Sequence, residues 1–217
     1  MLNVVMGCPK TGRAAGLSRR CDDPLTVAAA AGVGYLLGTF PTAVLATKEA
    51  SRGSVDIRSA GSGNPGGLNT AQVLGRTWGS AVVAVDAAKG FGAGLLGWVI
   101  SGPAGAFAGS TAAIVGHVWP VRTRFGGGKG VATSAGTVLA VFPIFVPLDV
   151  AAAGALALRG WRRAIRVSTT VWVAAAVIWW LADLPNLWGP PPTVGLPISQ
   201  SIAAACILVR FYTAPPR

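Results

Sequence analysis

Residues 131–158, VATSAGTVLAVFPIFVPLDVAAAGALAL, decide how many times this chain crosses a membrane. As one helix rising 1.5 Å per residue, the run would reach about 42 Å, against a hydrocarbon core of about 30 Å. That is too long for one straight span and short for two full ones. Pro143 and Pro147 interrupt it and Asp149 lies just beyond. Proline removes a backbone donor and clashes with the preceding turn. The run therefore predicts two shortened helices with a bend near 143–147.

Outward from this stretch, further apolar runs cover roughly 25–47, 79–100, 104–119, 167–184 and 196–212. With the divided run they make seven crossings. The chain is 52% hydrophobic and 12% charged, with mean hydropathy +0.57, too apolar for an ordinary soluble domain. The fold expected is all-α: a polytopic integral membrane protein of about seven transmembrane helices, some short or broken. Residues 1–23 are polar, basic and aperiodic, which predicts a disordered N-terminal leader ahead of one membrane-embedded domain over 24–213. The rival for the first run is a signal peptide cut near Ala46. The run is long for a signal core, which favours a retained span.

Charge distribution tests the count. Lys48, Arg52, Arg58 and Arg76 follow the first helix; Arg122, Arg124 and Lys129 follow the third; Arg159, Arg162, Arg163 and Arg166 follow the fifth. With seven crossings all three basic links fall on one side, the cytoplasmic side by the positive-inside rule. With six, the last two helices invert and the pattern fails. The net charge of +11 is thus explained by topology, and nucleic-acid binding is excluded as a leading function. Cys8, Cys21 and Cys206 are too few and scattered for a disulfide framework or metal cluster. Trp119, Trp161, Trp179, Trp180 and Trp188 lie near predicted helix ends, where indoles favour the interface.

Two glycine-rich stretches sit on the cytoplasmic links. The first is Gly61-Ser62-Gly63-Asn64-Pro65-Gly66-Gly67, the second Gly126-Gly127-Gly128-Lys129-Gly130. Glycines let backbone N–H groups converge on an anion, and lysine adds a point charge. Asn69 or Thr70 is expected to cap the helix that follows the first loop, whose N-terminus favours anions. The second loop is not a Walker A sequence, because glycine rather than serine or threonine follows the lysine. The bland alternative for the first loop is a flexible connection, since glycine and asparagine are ordinary turn residues. His117, the chain's one histidine, by itself reads more readily as a hydrogen-bonded packing residue than as a base. Asp86 and Lys89 share a helix face inside an apolar run, where ionisable groups pair or face a cavity. Both an internal ion pair and a substrate contact remain open.

Three segments together are more specific: Gly-Ser-Gly-Asn-Pro-Gly-Gly-Leu-Asn at 61–69, Asp-Ala-Ala-Lys-Gly at 86–90, and Gly-His-Val-Trp-Pro at 116–120 followed by Gly-Gly-Lys-Gly-Val-Ala-Thr at 127–133. In order and spacing they resemble the bacterial PlsY family of acyl-phosphate:glycerol-3-phosphate acyltransferases. The resemblance covers about 25–184. It implies a seven-helix bacterial inner-membrane enzyme with a cytoplasmic site. Such an enzyme moves a fatty acyl group from acyl phosphate to the 1-hydroxyl of glycerol 3-phosphate, giving lysophosphatidic acid for phospholipid biosynthesis. It also implies the lipid bilayer as surroundings, no cofactor or metal, no direct coenzyme A or acyl carrier protein, and a functional link to the enzyme that forms acyl phosphate.

Carried over by position, the resemblance gives Ser62, Lys129, Asn69 and His117 as catalytic residues. Substrate and phosphate binding falls to Gly61, Gly63, Asn64, Gly66, Gly127, Gly128, Gly130, Ser168, Asp86 and Lys89. Two departures concern the acceptor. Gln72 stands where members usually carry arginine, and the tail, Val209-Arg210-Phe211-Tyr212 onward, lacks their histidine and asparagine. Arg76, one helical turn beyond Gln72, is the cation expected to compensate. The donor loops are intact by this comparison and the acceptor site is altered. An acyl-phosphate-using paralogue with another acceptor, a non-catalytic membrane scaffold and a transporter are the alternatives.

Overall fold

The computed structural model describes residues 23–147, 151 and 160–213. The expected leader up to residue 22 lies outside the described residues, as do Asp149, Arg159, most of the second half of the run 131–158, and the tail from 214. Among the described residues every regular element is helical.

Helix α1 (Pro24–Gly38) begins with proline in its first turn, where a missing N–H costs nothing. Asp23 Oδ1 accepts the Leu25 N–H at 3.2 Å. The helix stops before Pro41, and α2 (Thr42–Ala50) resumes beyond it. The run 25–47, expected as one span, is therefore broken. Proline disfavours helical geometry in the preceding residue and supplies no N–H, so the chain turns at Phe40, whose carbonyl accepts the Thr42 N–H at 3.0 Å.

After the first glycine loop come α3 (Gly67–Leu74) and α4 (Arg76–Val118). The backbone of α4 leaves helical geometry at Ser101 (φ −146°) and Gly102 (φ 56°, ψ −147°), just before Pro103. At that left-handed glycine the chain reverses. A Cβ on Gly97 or Gly105 would overlap the other's carbonyl, so the two arms touch backbone to backbone. These arms are the runs 79–100 and 104–119 of the sequence. Helix α5 (Val131–Val141) ends at a 3₁₀ turn over Pro143–Phe145, the bend that the prolines predict. Helices α6 (Trp161–Leu181) and α7 (Gly195–Thr213) complete the described chain.

The hairpin of α4 is the centre of the fold, with α1 against its second arm and α5 against its first. Close approach without side chains lets packing contacts act where lipid offers no hydrophobic drive between helices. A Cβ on Gly34 would overlap Gly109 of the second arm, and one on Gly136 would overlap Ala87 of the first. Phe142 stacks on Phe145 at 5.5 Å and meets Trp179 edge-on at 5.7 Å. Outward, Val99 is 81% exposed, Leu25 79% and Leu181 69%, an arrangement that water penalises and lipid accepts.

Four stretches are long and apolar enough to cross a membrane: Pro24–Ala50, Arg76–Thr123, Arg163–Leu181 and Gly195–Thr213, with α5 a shorter apolar helix. The chain is an all-α, multi-pass integral membrane protein. Because Arg76–Thr123 folds back at Gly102, it accounts for two of the expected runs. The expected total of seven also counts a helix beyond the 143–147 bend, most of which lies outside the described residues.

Candidate active site

The two glycine loops meet. A Cβ on Gly128 would lie 3.1 Å from Pro65 O and would overlap the His117 imidazole at Nε2. The Gly128 N–H donates to His117 O at 3.2 Å. The helix end carrying His117 is thereby bound to the loop that follows it. Beside this junction lies a cleft of about 310 Å³ lined by Phe40, Thr42, Arg58, Pro65, Asp86, Lys89, His117 and Gly126–Gly128, among others. That space includes open solvent, and the part a water centre can occupy is about 30 Å³.

Asp86 organises the cleft floor. Its Oδ1 pairs with Lys89 Nζ at 2.8 Å and accepts the Thr42 hydroxyl at 2.8 Å. His117 Nδ1 lies 3.8 Å from the same oxygen, too long for a hydrogen bond. Lys89 also donates at 3.1 Å to Phe40 O, a carbonyl at the Pro41 break that accepts the Thr42 N–H as well. Asp86 and Lys89 are thus an internal ion pair that also lines the cleft.

Asn69 does not cap α3. Gly66 holds the N-cap position in extended geometry with no side-chain cap bond, and Asn69 lies inside the helix. From there Asn69 Oδ1 accepts the Ser62 N–H at 2.7 Å, while Nδ2 donates to Ile57 O and Ala60 O, each at 3.1 Å. Thr70 does not cap either; its hydroxyl donates to Gly66 O at 3.1 Å. A side chain reaching back from the first helical turn can satisfy several loop groups at once, which a cap at the terminus cannot. Asn69, 2% exposed, is therefore a positioning residue. Asn69→Ala is expected to raise proteolytic cleavage within 51–66 several-fold, each lost bond being worth about 1 kcal/mol. Asn69→Asp should not restore protection, because a carboxylate cannot donate to Ile57 O and Ala60 O. Wild-type cleavage rates in either variant would contradict the clamp.

The second loop is held from three sides. Tyr35 Oη donates to Trp119 O at 3.0 Å and accepts the Val121 N–H at 3.2 Å. Thr123 Oγ1 donates to Gly126 O at 3.2 Å. From α7, Arg210 Nη2 donates to Gly127 O at 2.8 Å, and Phe211 presents its ring 4.4 Å below Lys129 Nζ. Sequence reasoning missed Tyr35 and Arg210, whose partners in the fold leave no local spacing signal, and Arg58, which the fold brings to the cleft lining. The start of the tail, read from sequence as missing its functional residues, sets Arg210 and Phe211 against the second glycine loop.

Several loop amides are already engaged. Ser62 N–H meets Asn69, Gly63 N–H meets Ala60 O, Gly66 N–H meets Asn64 O, and Gly126 N–H meets Thr123 O. The Gly127 and Gly130 N–H groups find no acceptor among the described residues. Of the residues assigned by resemblance, Asp86, Lys89, His117, Gly127 and Gly128 line the cleft. Ser62, Gly61, Gly63, Asn64, Gly66, Lys129 and Gly130 belong to its surrounding loops and Asn69 to α3, and none is in the lining. Ser168 is buried on α6, and Gln72 and Arg76 are exposed; none of these lines the cleft.

Comparison with known proteins adds to this geometry. A family model described as glycerol-3-phosphate acyltransferase matches residues 28–215. A glycerol-3-phosphate acyltransferase of Thermoanaerobacter pseudethanolicus is 42% identical over 112 residues, 52% of this chain and 56% of that protein. Glycerol-3-phosphate acyltransferase 2 of Moorella thermoacetica is 44% identical over 112 residues, 52% of this chain and 57% of that one. The matched stretches therefore span little more than half the length of these curated relatives. Two crystal structures of PlsY (YgiH), an integral membrane glycerol 3-phosphate acyltransferase, resemble the fold. The glycerol 3-phosphate form has a TM-score of 0.68 at 27% identity, covering 86% of this chain and 88% of that one. The lysophosphatidic acid form has a TM-score of 0.65 at 28% identity, covering 85% and 87%.

Proposed function

We propose, from the premise that this chain belongs to the glycerol-3-phosphate acyltransferase family, that it transfers a fatty acyl group from acyl phosphate to the 1-hydroxyl of glycerol 3-phosphate. The observation that carries this is the contact between Pro65 of the first glycine loop and Gly128 of the second, beside a cleft lined by Lys89 and His117. Both loops lie on basic links, which supports a site on the cytoplasmic face of a bacterial inner membrane, within one membrane domain over 24–213.

The acceptor oxygen attacks the acyl carbonyl carbon and the bond from that carbon to the phosphate oxygen breaks. The hydroxyl proton ends on the departing phosphate, so the products are lysophosphatidic acid and inorganic phosphate. An acyl phosphate is already activated, and the protein's part is positioning and charge neutralisation. Lys129 and the Gly127 and Gly130 N–H groups stabilise the departing phosphate. Ser62 offers a hydroxyl at the first loop, and Asn69 fixes that loop. His117 holds the second loop through its carbonyl and closes the cleft wall with its ring.

Purified protein in detergent, given palmitoyl phosphate and glycerol 3-phosphate, is expected to release phosphate and form lysophosphatidic acid in equal amounts. Lys129→Ala should abolish both, and wild-type rates in that variant would refute its role. Gln72 and Arg76, exposed and away from the cleft, favour one second reading, a different acceptor for the same donor. Phosphate release without the lipid would support it.

A further inference from the structure

We infer that Arg58 is a binding residue of this cleft, its guanidinium taking the terminal phosphate of a phosphate-bearing substrate. This rests on the phosphate-substrate reading above. Arg58 lines the cleft together with Pro65, Lys89, His117, Gly127 and Gly128. It brings a cation to the point where both glycine loops meet. Lys89, the other basic residue of the lining, is engaged with Asp86 and with Phe40 O. Arg58 pairs with no carboxylate among the described residues.

Its neighbour in sequence, Asp56, uses Oδ1 on the Arg58 backbone N–H at 3.0 Å, which holds the main chain of the loop. Ile57 is 1% exposed, and its carbonyl, like that of Ala60, is clamped by Asn69. The backbone on both sides of Arg58 is therefore fixed, while its side chain extends, exposed, to the cleft. A planar fork of donors on a rigid backbone suits the oxygens of a phosphate dianion. Arg76, the cation that sequence spacing offers for the same purpose, is exposed and does not line the cleft. The arginine that lines the cleft lies ahead of the glycine loop, not on the helix behind it.

The ligand group is the phosphate of either glycerol 3-phosphate or acyl phosphate, and kinetics separates the two. Arg58→Gln is expected to raise KM for one of them on the order of 10–100-fold, the worth of one charge-assisted contact. A rise for glycerol 3-phosphate alone assigns Arg58 to the acceptor, and a rise for palmitoyl phosphate alone to the donor. Arg58→Lys should recover part of the loss by restoring charge without the fork. Arg166→Gln, an exposed arginine on α6, should leave both KM values unchanged.

Calorimetric binding of inorganic phosphate to the full chain in detergent runs alongside, and is expected to weaken by a similar factor in Arg58→Gln. Should the wild type turn over no substrate, the acyltransferase reading fails and phosphate binding alone decides Arg58. Unchanged KM for both substrates with unchanged phosphate binding overturns the assignment. So does a loss of activity that tracks lowered thermal stability and is not recovered by Arg58→Lys.

Discussion

Replacing Gly127 with alanine is expected to lower kcat/KM for lysophosphatidic acid formation at least 100-fold while leaving helix content intact. A Cβ there would overlap His117 O and lie 2.6 Å from both Val118 O and Pro120 Cδ. Two of these are backbone carbonyls at the end of α4, which cannot rotate away as a flexible side chain would. The loop must move instead. Moving it strains the Gly128 bond to His117 O, the Arg210 bond to Gly127 O and the approach to Pro65. A misplacement of about 1 Å in a positioned site costs on the order of 100-fold. Far-ultraviolet circular dichroism and thermal unfolding separate this from misfolding. An active Gly127→Ala protein, within a few-fold of wild type, would mean that the loop junction does not set the geometry of the reaction.

Replacing Asp86 with alanine is expected to destabilise the fold more than any exposed substitution. Asp86 and Lys89 side chains are 3% and 6% exposed, and the carboxylate accepts from Thr42 as well as from the ammonium. Removing one partner of a buried ion pair leaves an uncompensated charge and costs about 3–5 kcal/mol. For a chain of this length that corresponds to a fall in Tm of roughly 6–20 °C. The double variant Asp86→Ala with Lys89→Met should regain most of the loss, because the unpaired charge is then gone. Activity should not return with stability, since Lys89 lines the cleft. Differential scanning fluorimetry in detergent reads both variants. A single variant within about 2 °C of wild type would show that the pair is not structural.

Much of this arrangement is visible in residue order. The prolines at 143 and 147 mark the end of α5, and the interruption at 101–103 separates two apolar runs that become the arms of α4. The three linked segments at 61–69, 86–90 and 116–133 identify the site because glycine, lysine and aspartate are costly or conspicuous in an apolar chain. Other features are set by contacts that leave no local pattern. Asn69 resembles a helix cap by position, yet the extended geometry of Gly66 takes the cap and frees Asn69 to clamp three loop groups. Tyr35 holds the second loop across 84 and 86 residues of sequence. Arg58 is one of several basic residues in a link between apolar runs until the fold brings its loop to the cleft. Arg76 has the better helical spacing and the wrong location.

The Pro41 break shows how a local rule acquires a distant consequence. Proline ends α1, the Phe40 carbonyl at the break accepts Lys89 as well as the Thr42 N–H, and Lys89 then holds Asp86 beside Thr42 at the start of α2. A chain reading of 25–47 as one straight span has no place for that bond. Its existence places a lysine at membrane depth without leaving it unpaired, in line with the cost of isolated charge in lipid.

The central claim is that both glycine loops serve one phosphate-bearing substrate. Hydrogen exchange of the full chain in detergent, with and without glycerol 3-phosphate, tests it most directly by reporting amide protection segment by segment. The account predicts that ligand slows exchange in peptides covering 61–67 and 126–130 together, and that Gly127→Ala loses both effects at once. Protection confined to one loop, or absent from both at saturating ligand, would contradict it.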